Sequence, residues 1–111
     1  MVQFRVYVDD DGKPRAQVAP PHEVLEWFLE VEVGVDLVLV ARLIADIDEA
    51  MKAPVGVGTL VEGSSEESQW WFGDAAKIRY REMDPPLEVE MSLTALRFIL
   101  EKWRAVVNDI I

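Results

Sequence analysis

The segment from Ser92 to Ile110 constrains the architecture of this chain more than any other. Leu93, Leu96, Leu100, Trp103, Val107 and Ile110 recur at helical spacing and trace one apolar stripe, which Ile99 and Val106 widen. Arg97, Glu101, Lys102 and Arg104 fall on the polar side. Ser92 stands where an N-cap belongs, and Met91 and Leu96 take the two positions of a hydrophobic staple. Burying six such side chains is worth on the order of 10 kcal/mol before chain entropy is subtracted. Such a helix is a core element, and it needs a second layer to pack against.

The rest of the chain supplies that layer mostly as strands. Val2, Phe4, Val6 and Val8 alternate with Gln3, Arg5 and Tyr7, which is the period of a half-buried strand. Asp9-Asp10-Asp11-Gly12 has the chemistry of a hairpin turn, and Arg15 to Val18 forms the return strand, held to an edge or a strand start by Pro14. Val55, Val57, Thr59 and Val61 read as a strand, Glu62 to Ser68 as a polar loop, and Gln69 to Phe72 as a short aromatic strand. Gly73-Asp74 is a turn, and Ile78 and Tyr80 alternate with Lys77, Arg79 and Arg81 in a further strand. Leu87, Val89 and Met91 make either a last short strand or an extended approach to the final helix.

Two more helices are expected in the middle. Pro21 suits a first helical turn, and Val24, Leu25, Trp27, Phe28 and Val31 give one broad apolar face, with Glu23, Glu26, Glu30 and Glu32 toward water. Asp36 is placed to cap a second helix over 36–52, where Leu37, Val40, Ile44, Ile47 and Met51 keep helical spacing for four turns. Leu29 to Val35, or Leu37 to Val40 alone, also fits a buried strand. The order favours one α+β domain spanning residues 1–111: a mainly antiparallel sheet of four to six strands, with two principal helices, near 36–52 and 92–108, packed on it. Its expected core comprises Phe4, Val6, Phe28, Val40, Ile44, Ile47, Ile78, Tyr80, Leu96, Leu100 and Trp103.

Charge is distributed unevenly. The chain carries 21 acidic and 11 basic side chains over 111 residues, a formal charge of −10. Residues 23–67 hold eleven acids against Arg42 and Lys52, so nine of the ten excess charges sit there. That field repels phosphate backbones and anionic membranes, and it suits a basic protein partner. Solubility alone also accounts for net charge of this sign. No stretch approaches the roughly 18 apolar residues of a membrane span, and Met1 to Val8 lacks the apolar block of a secretory signal. A cytoplasmic protein is the expectation.

Catalytic and metal motifs are missing. With no cysteine and one histidine, thiolate chemistry and cysteine-ligated zinc are excluded. The Asp9–Gly12 run lacks calcium-loop spacing, since a valine stands at position 18 where the loop needs glutamate. His22 beside Glu23 and Glu26 has the makings of a general base, but a lone histidine in a first helical turn is more often a packing or surface residue. Gly63-Ser64-Ser65 lacks a nucleophile elbow. Binding rather than catalysis is therefore expected, with no cofactor and no metal. The candidate binding residues are Asp46, Asp48, Glu49, Glu62, Glu66 and Glu67, which supply charge, and Trp70 and Trp71, of which at least one meets solvent or the rim of the core. The alternative for a tryptophan here is a core position opposite Trp103. A homodimer is also expected to bury the surplus apolar surface of Leu29, Val31, Val33 and Val35.

With its strand-rich start, acidic middle helix, meander and final helix Ser92-Leu93-x-Ala95-Leu96-x-Phe98-x-Leu100-x-x-Trp103, the chain resembles small acidic bacterial immunity proteins. That resemblance implies an inhibitor that covers the active site of a polymorphic toxin. The stretch His22-Glu23-Val24-x-x-Trp27-Phe28 is similar to YacL-type bacterial proteins. Neither resemblance carries a catalytic residue to this chain.

Overall fold

Hydrogen bonding in a hairpin of two five-residue strands sets the frame. In the computed structural model, which describes residues 2–54, 56, 61–82 and 85–111, β1 (Phe4–Val8) pairs antiparallel with β2 (Pro14–Val18). Asp9 Oδ1 closes the turn between them by accepting from the amides of Asp11 and Lys13, each at 2.9 Å, and Gly12 takes the required positive φ of 78°. The amide of Ala19 donates to the Gln3 carbonyl and that of Asp9 to the Lys13 carbonyl. Residues 3, 5, 7 and 9 of the first strand therefore turn their backbone groups toward β2, by the alternation of antiparallel ladders. The backbone groups of Ala16 and Val18 point the other way, to the outer edge of β2.

The next segment closes that edge. A short helix α1 (Val24–Trp27) continues as a π-helical stretch (Phe28–Val33). Glu26 Oε1 accepts from the Val18 amide and Glu30 Oε2 from the Ala16 amide, both at 2.9 Å. The third outward position on β2 is Pro14, which has no N–H to satisfy. The expectation that Glu26, Glu30 and Glu32 face water is thus corrected: all three are partly buried, and Glu32 accepts from Ser68 Oγ at 2.6 Å. Val31, expected on the apolar face, is 58% exposed, because the wider π turn rotates it outward. Gly34 ends the stretch at φ 53°, and its carbonyl accepts the Trp103 indole N–H at 2.8 Å.

A second sheet follows helix α2 (Leu37–Met51), whose N-cap Asp36 accepts from the Leu39 amide at 3.0 Å. Strands β3 (Val61–Ser64), β4 (Ser68–Phe72), β5 (Ala76–Tyr80) and β6 (Leu87–Met91) form an antiparallel meander in that order. Val55, Val57 and Thr59 of the expected strand lie outside the described residues. Glu62 to Ser64, expected in a loop, belong to β3, where Glu62 pairs with Trp71 and Gly63 with Trp70. The architecture is α+β, and the described residues form two sheets of two and four antiparallel strands in place of the single sheet expected, with three helices.

Helix α3 (Leu93–Ile110) runs against both α2 and the hairpin. Ser92 Oγ caps it by accepting from the Ala95 amide at 3.0 Å, and both staple residues, Met91 and Leu96, are buried. Of the expected core, Phe28, Val40, Ile44, Ile47, Ile78, Leu96, Leu100 and Trp103 are buried, whereas Phe4, Val6 and Tyr80 are half-buried and packed against it. Tyr80 is held there by stacking on Trp27, with ring centroids 4.0 Å apart.

Removing an edge carboxylate leaves a buried amide without a partner. Glu30→Ala is expected to destabilise the fold by about 1.5–3 kcal/mol, the scale of a charge-assisted bond. Glu30→Gln, which keeps an acceptor oxygen, costs less. Urea unfolding midpoints of the two variants check the difference.

Candidate functional site

The acidic residues of the middle segment divide into those that the chain uses for itself and those that it leaves free. Asp48 belongs to the first group. Arg97 Nε of α3 donates to its Oδ1 at 2.7 Å and Nη2 to its Oδ2 at 3.4 Å. Arg97 in turn lies 3.5 Å from Glu101, which binds Arg104 at 2.6 Å. Glu49 sits 3.2 Å from Lys52 one turn along the helix, an exposed pair of little energetic weight.

Asp46 points to a different place. A cavity of about 260 Å³ opens between α2 and the β3–β4 turn. Leu39, Arg42, Leu43 and Asp46 wall one side, residues Glu62 to Ser65 wall the other, and Glu32 and Trp70 complete it. Two carboxylates, of Glu32 and Asp46, thus meet one arginine, while Glu62 borders the cavity with its side chain turned to the other face of the sheet. Trp70 is 7% exposed and makes an edge contact with Phe28 at 5.8 Å. A Cβ at residue 63 would fall on the Trp70 indole, so the close approach of β3 to that ring requires glycine.

The remaining candidates lie around this cavity or behind it. Glu62 reaches the outer face of the sheet, where its Oε1 accepts the Trp71 indole N–H at 3.2 Å. Trp71 is half-exposed there, with the Arg79 guanidinium 5.1 Å from its ring centroid. A separate depression of about 350 Å³ beside it is lined by Asp74, Lys77, Arg79 and Glu90, so Trp71 faces mixed charge. Glu66 is exposed at the tip of the β3–β4 turn. Glu67 donates its amide to Ser65 Oγ at 3.3 Å and accepts the Arg81 amide at its carbonyl at 2.8 Å. Arg81 also donates through its guanidinium to the Ser65 carbonyl, which places a cation beside this pair of acids.

The fold therefore gathers Asp46, Glu62 and Trp70 at one cavity and sets Glu66 and Glu67 near its rim. Asp48 and Glu49 do not join them. The cavity also recruits Glu32, Arg42 and Ser65, which sequence reading did not single out. Ser68, fully buried, joins Glu32 to Ser65 through hydroxyl contacts of 2.6 and 3.1 Å. Every buried side-chain N or O among the described residues has a partner. Glu26 Oε1 accepts from the Val18 amide, and no hydrogen bond among the described residues joins Glu26 to His22.

Comparison with protein-family models, with curated protein sequences and with solved structures finds no match to this chain. Among the described residues, no helix is long and apolar enough to cross a membrane.

The Asp48–Arg97 pair makes stability depend on acid. The hydrogen bond from Arg97 holds the Asp48 carboxyl below its ordinary value of 3.8, and the same bond raises the guanidinium pKa. A carboxylate lowered in the folded state stabilises fully above its unfolded pKa and loses that effect as pH falls through the folded value. Asp48→Asn is therefore expected to melt below the parent at neutral pH. The difference should shrink as pH drops below 3.8, which thermal melts at a series of pH values check.

Proposed function

We propose that this protein is a non-enzymatic binding module that docks a basic protein partner, as an inhibitor of the immunity-protein kind. The observation that carries this reading is the cavity between α2 and β3, where Glu32 and Asp46 outnumber Arg42 and the Trp70 indole forms an apolar wall. A partner lysine or arginine has the matching chemistry: its alkyl stem packs against Leu39, Leu43 and Trp70 while its charge lies among the carboxylates. Glu66 at the exposed turn tip adds to the field that steers such a partner in. The alternative, a small-molecule-binding protein, would hold a deep apolar pocket beside the aromatic strand. The carboxylates, arginine and serines around this cavity favour the docking reading instead.

Capture from a lysate of the cell of origin tests it. Asp46→Lys, Glu62→Lys and Glu66→Lys are combined in one variant, with Asp48 left in place because it ties α2 to α3. The parent is expected to retain a basic protein at low salt and release it as salt rises, because the screening length shrinks to about 10 Å at 0.1 M. The variant is expected to associate with that partner at least about tenfold more slowly. Equal binding by the variant at low salt contradicts the acidic docking mechanism.

A further inference from the structure

The hairpin has two edges, and only one of them is closed. Glu26, Glu30 and Pro14 leave no free donor on the outer edge of β2. On β1, the ladder turns the backbone N–H and C=O of Phe4, Val6 and Val8 away from β2, and no hydrogen bond among the described residues uses them. Three donors and three acceptors in strand spacing accept only one kind of occupant, another strand.

Beside this edge lies an apolar groove of about 410 Å³. Val2 and Phe4 form one wall, and Ala95, Phe98 and Ile99 of α3 form its floor and far wall, with no residue of β2 contributing. Phe98 is 54% exposed and meets Phe4 edge-on at 5.9 Å. Helix α3 therefore extends its apolar face past the last strand of the two-stranded sheet, under the position that a further strand would occupy.

We propose that a second copy of this chain supplies that strand, its β1 pairing antiparallel with β1 about a two-fold axis at Val6. The strand is self-complementary in this register. Val6 faces Val6 of the second copy, and Phe4 faces its Val8, so the helix side of the new pair is wholly apolar. On the opposite side Arg5 faces Tyr7 of the second copy, which extends across the axis the contact that Arg5 makes with its own Tyr7 ring at 4.5 Å. Like charges never face one another between residues 4 and 8. Geometry agrees: each copy contributes two strands, about 9.6 Å wide at a spacing of about 4.8 Å, and packed helices sit about 8–10 Å apart. Two α3 helices thus fit side by side under a four-stranded sheet.

Electrostatics selects this face over others. Residues 1–22 hold three acids and three bases, whereas residues 23–67 carry nearly all of the net charge of −10 and repel their counterpart in a second molecule. The surface earlier expected to dimerise is half consumed, since Leu29 and Val33 are buried in the core and only Val31 and Val35 remain exposed. A five-residue edge gives an interface below the usual size of about 800 Å² per partner, so association is concentration-dependent.

Sedimentation velocity over a wide concentration range reads the proposal. The parent is expected to shift from monomer to dimer as concentration rises. Salt should strengthen the dimer by screening the net charge, the opposite sign to docking of a basic partner. Val8→Lys and Phe98→Lys, both at exposed side chains, are expected to hold the chain monomeric at the highest concentration. Asp46→Lys with Glu62→Lys leaves the dimer intact, which separates this surface from the acidic cavity. Amide exchange of the parent supplies a readout independent of variant folding: Phe4, Val6 and Val8 become protected as concentration rises. A parent that stays monomeric throughout, a dimer that both lysine variants leave unchanged, or edge amides whose exchange ignores concentration overturns the proposal.

Discussion

Two carboxylates hold the structure's least self-sufficient part in place. A two-stranded hairpin is marginal alone, and its β2 edge presents the amides of two buried residues, Ala16 and Val18. Glu26 and Glu30 satisfy both from one face of a single helical segment, one turn apart. The same segment then reaches the second sheet. Trp27 stacks on Tyr80 of β5, Phe28 meets Trp70 of β4, and Glu32 binds Ser68 of β4. Gly34 at its end accepts the Trp103 indole of α3. Residues 24–34 therefore join both sheets and the final helix through hydrogen bonds and ring contacts.

This division of labour changes what the acidic middle means. Part of the −9 concentrated there is internal architecture: Glu26 and Glu30 at a strand edge, Glu32 at a buried serine, Asp48 at Arg97. What remains outward is smaller and more local, with Asp46 at the cavity, Glu62 beside Trp71 on the outer sheet face and Glu66 at the turn tip. A charge count treats all of these alike. Only the fold separates acids that serve backbone amides from acids that present a field to solvent.

Elements with a strong single period were legible in the sequence. The stripe from Leu93 to Ile110, the caps at Ser92 and Asp36, the hairpin turn at Asp9–Gly12 and the alternation in β1, β4 and β5 all appear where their periods and caps place them. The partition into two sheets was not legible, because strand alternation says which face is buried and nothing about which strands pair. The 24–33 segment misled for a different reason. A π-helical turn shifts the facing of residues after Phe28, so Val31 lands outside and Glu30 and Glu32 land against neighbours. Of the candidate site, Asp46, Glu62 and Trp70 come together, but Asp48 was misread as free because its partner Arg97 is forty-nine residues away. Glu32 and Arg42 reach the cavity through tertiary packing that no local pattern encodes.

Native-state hydrogen exchange, residue by residue and at dilution where the chain is monomeric, tests this account most directly. If the glutamate carboxylates occupy the β2 edge, the Ala16 and Val18 amides exchange slowly although they point away from β1, the strand that pairs with β2 among the described residues. The Phe4, Val6 and Val8 amides on the opposite edge exchange fast. Ala16 and Val18 amides that exchange as fast as those of Phe4 and Val6 would contradict it, because the helical segment would then not hold the hairpin through that edge.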